Sequence, residues 1–350
     1  MGGTDPGSGA TRSSGASRRD FLAGAGLTGA AAIAAGALPL RALAAGDAAL
    51  PPLPVTADQR GSEPASRNLI VDGTAVAYLK KLSGGEAFAD VVVEAAGPDH
   101  VRHKHLATTQ LAPLVATVGR EMGGPLAELI ASTLDGNLAT KEVASQQLDI
   151  NRHVTSQTDF GRARMVQLVV PKLAADSKDV VYFDVTLAAG SASTTTPGGT
   201  AVTTTPTQKA WVASNFRVDI PGLPCARVAS IDPLTVKVTG PSAGEKPGAA
   251  KSAANLEISN LVMAISMADY PDWEQWHQDF VVRGQNDAGH EKNGKVQLLA
   301  ADMSTVLATL TLSNLGLFNL STEFEANSAE KISRFTVEMY IEKLGFALTA

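Results

Sequence analysis

The apolar pattern of this chain repeats internally, which restricts the folds open to it. Residues 106–134 align without gaps on residues 256–284, so that Leu106 falls on Leu256, Leu111 on Leu261, Val115 on Ile265, Leu126 on Trp276 and Ile130 on Phe280. Few identities survive, but the spacing of the apolar residues does. A recurring unit without catalytic residues points to assembly rather than chemistry.

The start of the chain carries a different signal. Ser17-Arg18-Arg19-Asp20-Phe21-Leu22 resembles the twin-arginine export motif, an Ala/Gly-rich apolar stretch runs from Phe21 to Leu40, and Ala42-Leu43-Ala44 has a small-x-small cleavage pattern. Pro39, Arg41 and the glycines make the stretch a poor membrane span. Residues 1–45 are therefore expected to be a signal peptide handled by the twin-arginine translocase. That route places the folded protein in the periplasm or outside the cell. Their removal takes four of the 29 basic and two of the 35 acidic residues, leaving a formal charge of −8. This charge excludes nucleic-acid binding through a basic face. Cys225 is the one cysteine in the sequence, so there is no intramolecular disulfide and no cysteine-based metal cluster.

Two segments cannot build a core. Residues 46–66, rich in Pro, Ala and polar residues, read as a tether, and 189–208 (AGSASTTTPGGTAVTTTPTQ) reads as a linker that would span about 20–25 Å as a flexible coil. This divides the mature chain into a first domain at 67–188 and a second at 209–350. Both are expected to be β-rich α+β domains, each a barrel with one covering helix. Phe335, Val337, Met339 and Ile341 alternate with polar residues in 332–343, and Val181, Phe183, Val185 and Leu187 form one face of 180–187. Further strands are expected at 215–220, 256–267, 295–300, 305–312 and 315–321. A helix is expected at 125–135, with Pro125 first and Leu126, Leu129, Ile130 and Leu134 as its stripe, and another at 272–283, with Asp272 and Gln275 as a capping box and Trp273, Trp276 and Phe280 on one face.

Three constellations could carry chemistry, and none is complete. His100, His103 and His105 lack the further ligands of a tetrahedral site apart from Asp99, and they suit a polar hairpin. The stretch Asp269 to His277 collects acids and aromatics, and Asp272 with Glu274 would be the carboxylates of a glycosidase-like site. Helix capping and dipole effects account for both acids, and the tryptophans lie on the core-facing stripe. Cys225 sits in a turn with no base near it in sequence, and no G-x-S-x-G motif or phosphate loop occurs in the mature chain. No catalytic, cofactor-binding or metal-ligating residue is assigned, and no cofactor is expected.

The second half resembles the phage tail-tube protein family of contractile tails, related in fold to the tube protein of type VI secretion. The resemblance rests on an ordered set of motifs. They are Phe216-Arg-Val218-Asp-Ile220-Pro-Gly222, then Val228-Ala-Ser230-Ile-Asp-Pro-Leu234, then Asp272-Trp273, then Gly294-Lys-Val296-Gln-Leu298-Leu299-Ala-Ala-Asp302, then Ala308-Thr-Leu310-Thr-Leu312-Ser-Asn314, and a closing strand from Phe335 to Ile341. It covers about 135 residues. The first half matches through the repeat, opening on Leu69-Ile-Val71-Asp-Gly73 and closing between Asp149 and Leu187, but its helix lacks the Asp-Trp pair. The export signal departs from the family pattern.

The resemblance implies self-association into six-lobed rings stacked through a long hairpin between the second and third strands, here about 82–105 and 231–258. With two lobes per chain, three chains would close a pseudo-sixfold ring. Sheath-like or baseplate-like proteins are the implied partners. The contrasting expectation is a secreted β-rich binding protein or hydrolase acting on envelope polymers through Tyr270 to His277. A monomeric scaffold is a third.

Overall fold

Alternating apolar residues dominate the chain, and in a computed structural model they form, among the described residues, two large antiparallel sheets and two short two-stranded ones. The structure describes residues 66–76, 79–98, 100–196, 211–239, 255–322 and 333–349. The export segment, the tether, most of the linker and the hairpin tip at 240–254 lie outside the described residues. The first half contributes β1 (Ser66–Val71), β2 (Thr74–Ala75), β3 (Leu79–Ser83), β4 (Ala87–Phe88), β5 (Val91–Val93), β6 (Lys104–Leu106), β7 (Gln110–Leu111), β8 (Leu114–Val118), helix α1 (Gly124–Leu134), β9 (Lys141–Leu148), β10 (Val154–Val170), β11 (Leu173–Ala174), β12 (Phe183–Ala188) and β13 (Ser191–Thr195). The second contributes β14 (Phe216–Asp219), β15 (Val228–Ile231), β16 (Leu234–Thr239), β17 (Asn255–Ile258), β18 (Leu261–Ser266), helix α2 (Tyr270–His277) running into a π-helical turn (Gln278–Val282), β19 (Lys292–Leu299), β20 (Val306–Thr322) and β21 (Arg334–Leu348).

The two large sheets share one layout. The first runs β1-β9-β10-β12-β8-β3, with β2 beyond β1; the second runs β14-β19-β20-β21-β18-β15, with β11 beyond β15. In the first sheet the end strands β1 and β3 come into contact, so the sheet is nearly closed, as a barrel. The agreement extends to register. Gln146 faces Gln157 as Gln297 faces Thr309, and Val118 faces Phe183 as Ile265 faces Phe335. The irregularities recur as well. The β9–β10 ladder breaks between Phe160 and Ala163 and the β19–β20 ladder between Leu312 and Leu315, each at a left-handed residue, Arg162 (φ 51) or Asn314 (φ 56). Bulges fall between Met165 and Gln167 and between Leu317 and Asn319. Another pair falls between Leu79 and Lys81 and between Val228 and Ser230. Bulges re-aim a strand and do not arise at matched positions from composition alone.

These registers shift the sequence alignment. Ile265 matches Val118 in the ladder, not Val115, three residues away. Apolar residues on both faces of 111–118 (Leu111, Leu114, Val115, Val118) left the pattern ambiguous there.

Helix α1 begins at a glycine turn with Pro125 in its first turn, where the missing N–H costs nothing, and it buries Leu126, Leu129, Ile130, Thr133 and Leu134. The N-cap position of α2 is Asp269, not Asp272. Asp269 makes no capping bond because its Oδ1 accepts from Arg227 at 2.5 Å, and Gln275 Nε2 donates to Asp279 Oδ2 at 2.8 Å instead of closing a capping box. The aromatic stripe is as expected: Trp273, Trp276 and Phe280 are buried.

The strand expected at 256–267 is two strands in two sheets. Ser259 exchanges bonds with Thr235, its N–H donating to the carbonyl at 2.8 Å and its Oγ accepting from the N–H at 2.9 Å, which carries the chain from β17 across to β18. The strands expected at 305–312 and 315–321 are one continuous β20.

The halves share hydrogen-bonded sheet. β16 adds to the C-terminal part of β10, and β11 pairs with β15. Helix α1 packs on β21, and Phe183 meets Phe346 edge-on at 5.6 Å. All described residues belong to one unit, Gly61–Ala350. Within the expected linker, Ser191–Thr195 is a strand on β10 (Thr158 opposite Thr194). Ser and Thr suit an exposed edge, and with both faces in water they leave no apolar alternation to read.

Candidate assembly interface

The first half carries a long arm. The β3–β8 ladder continues outward through Ala87 opposite Leu111, Phe88 opposite Gln110, Val91 opposite Leu106 and Val93 opposite Lys104. Backbone bonds join the segments, among them Ala112 N–H to Glu86 O at 2.9 Å and Ala107 N–H to Asp90 O at 2.8 Å. The arm thus spans Leu79 to Val118, wider than the expected 82–105. It exposes Val91 (57%), Leu106 (70%), Phe88 (44%) and Val93 (48%). A two-stranded ribbon is marginally stable in water, and contiguous exposed apolar residues on it mark a contact surface.

In the second half the corresponding ribbon is β16–β17, with Val236 opposite Ile258. Here the base is docked. Leu234, Thr235, Val236 and Lys237 face Val170, Val169, Leu168 and Gln167 of β10, and Val236 and Leu168 are fully buried. Sequence reasoning missed this junction. The available signal was the length of β10, 17 residues, which leaves an edge beyond its β9 partner. Ion pairs join the halves beside the shared sheet, Lys172–Asp232 at 3.0 Å and Lys343–Asp135 at 3.4 Å. Both are exposed and contribute little.

The sequence candidates for chemistry do not converge. His105 lies 3.3 Å from Glu94 on the arm and His100 is left-handed at its turn (φ 59). Among the described residues no group of three or more His, Cys, Asp or Glu side chains is placed to hold a metal ion. In the aromatic–acid stretch, Trp273 Nε1 donates to the Pro224 carbonyl at 3.2 Å, and Trp273 packs on Trp276 and Phe335 inside the core. Asp272 is exposed on the outside of the same helix, away from these rings.

Burial pushes the Cys225 thiol up to about 11. A thiolate-dependent reagent at pH 8 is therefore expected to label it about a hundred-fold more slowly than a free cysteine, and to regain full rate in urea. Labelling at the free-cysteine rate in the folded protein would show the thiol to be accessible and not held neutral by burial.

No protein-family model matches the chain, and no curated protein does. Solved structures give partial likenesses. The sheath–tube complex of an extracellular contractile injection system, PVC, in its extended state aligns at 15% identity with a TM-score of 0.32, over 37% of this chain and 88% of that one. The tube-terminating cap of the anti-feeding prophage aligns at 16% identity and 0.33, over 45% and 99%, and its baseplate at 18% and 0.27, over 38% and 91%. Among the described residues no helix is long and apolar enough to cross a membrane.

Proposed function

We propose that this chain is a structural subunit made of two tail-tube-like lobes in tandem, exported folded by the twin-arginine route, that assembles into rings or a tube outside the cytoplasm. The carrying observation is that two sheets of one strand order, with matching registers and bulges, are joined edge to edge in a single chain. The ordered motifs from Phe216 to Ile341 support the same reading.

The junction between the lobes is heterologous: an arm strand of one lobe meets the long strand of the other. Such contacts repeat head to tail and close into a ring when the rotation allows. Three two-lobed chains would give six lobes. Sheath-like or baseplate-like proteins are the partners such a ring would take.

Negative-stain electron microscopy of the exported protein tests this. Six-lobed rings are expected; separate particles without ring symmetry at every concentration would contradict it. The enzyme reading is disfavoured because Trp273 and Trp276, which would have to present their rings to a sugar, are buried.

A further inference from the structure

We infer that neighbouring chains join by a specific β-ladder, in which Glu86–Phe88 of one chain pair antiparallel with Asn319–Ser321 of the next. The inference rests on the ring reading above and specifies its interface. Matched bulges and registers set the correspondence. The β4–β7 ribbon stands where β16–β17 stands, Ala87 opposite Leu111 as Val236 is opposite Ile258. Likewise Asn319 and Leu320 of β20 stand where Gln167 and Leu168 of β10 stand, each just past the recurring bulge. Inside the chain, Val236 lies on Leu168 and Lys237 on Gln167. The same rule applied to the lobe boundary between chains places Ala87 on Leu320, Phe88 on Asn319 and Glu86 on Ser321.

Among the described residues both edges are unoccupied in the single chain, β4 being paired with β7 alone. β19 pairs with β20 only as far as Leu315, and among the described residues nothing pairs with the same side of β20 beyond it. Ser321 is exposed where its counterpart Val169 is half-buried, and Ala87 is exposed where Val236 is buried. A free edge with its counterpart strand equally free is a template for pairing, and the identity of the occupant follows from which strand fills that place inside the chain. The new ladder also sets Phe88 beside the bulge residue Phe318, covering two aromatics exposed at 44% and 41%.

The joint at the foot of the arm fits this role. Gly84 and Gly85 are both left-handed (φ 84 and 85), where the docked arm of the second lobe has Pro233 and Leu234. Two glycines let the undocked arm turn onto a neighbour, while a proline holds the docked one.

Cysteine pairs test the register in a Cys225→Ser background. Phe88→Cys with Asn319→Cys is expected to give interchain disulfides on mild oxidation, running to a covalent trimer. Gln167→Cys with Lys237→Cys, the matching positions within one chain, links without changing the mass. Phe88→Cys with Leu320→Cys, one residue out and on opposite faces, stays unlinked. In parallel, Ala87→Lys is expected to leave thermal unfolding of the single chain unchanged and to abolish rings. Rings that form without the 88–319 link, or that survive Ala87→Lys, would overturn this interface and leave the ring reading standing. An unmodified protein that forms no assembly at all would overturn both.

Discussion

Trp273→Ala is expected to destabilise the fold by about 3–5 kcal/mol, the range for removing a large buried aromatic. Trp273 is fully buried. Its ring packs against Trp276 at 6.1 Å and against Phe335 at 6.4 Å, and its Nε1 donates to the Pro224 carbonyl. The cavity left behind is walled by rings from α2 and β21, two elements that cannot collapse on it without breaking the β18–β21 ladder. The Pro224 carbonyl also loses its partner, and the turn from β14 to β15 loses its anchor on the helix. Equilibrium urea unfolding measures the effect, with a lower midpoint at unchanged slope. A variant of wild-type stability would mean that the ring is not structural, and would return the aromatic–acid stretch to consideration as a binding site.

Gly316→Val is the second large effect, at about 2–4 kcal/mol from overpacking together with a lost hydrogen bond. Gly316 faces Tyr340 across the β20–β21 ladder, and a Cβ there would overlap the Tyr340 ring. Tyr340 lies flat over the glycine and donates its hydroxyl to Glu291 Oε1 at 2.7 Å. The other carboxylate oxygen of Glu291 accepts from Asn314 Nδ2 at 2.7 Å. One missing side chain thus lets a tyrosine hold the left-handed Asn314 in place, at the point where the β19–β20 ladder breaks. Thermal unfolding of Gly316→Val should fall by several degrees, and Tyr340→Ala in the same background should recover part of the loss by removing the overlap. Additive losses from the two substitutions would show that the ring and the glycine do not share the space.

The parts of this fold legible in the sequence are those that one strand or helix determines alone. Phe335 to Ile341 alternate because β21 buries one face, and the Trp273–Trp276–Phe280 stripe is buried because α2 has one apolar side. What stayed hidden depends on partners far along the chain. Asp272 has the look of a cap, but the helix starts one turn earlier because Ser266 Oγ caps a 3₁₀ turn through Ala268 N–H and Asp269 is drawn to Arg227. Residues 256–267 have the alternation of one strand, yet Ser259 bonds to Thr235 and divides it between sheets. Ser191–Thr195 has no apolar residue larger than alanine and is a strand because β10 offers it an edge. The β10–β16 junction, on which the assembly account turns, pairs residues about seventy positions apart. Periodicity carries no information on such a pairing.

In the proposed assembly one chain supplies two lobes of a closed ring. Native mass spectrometry of the assembled protein tests it most directly. A closed species of three chains is expected, with no intermediate stable at high concentration. A stable monomer under those conditions would contradict it, and so would a ring of six chains, in which each chain would supply one lobe.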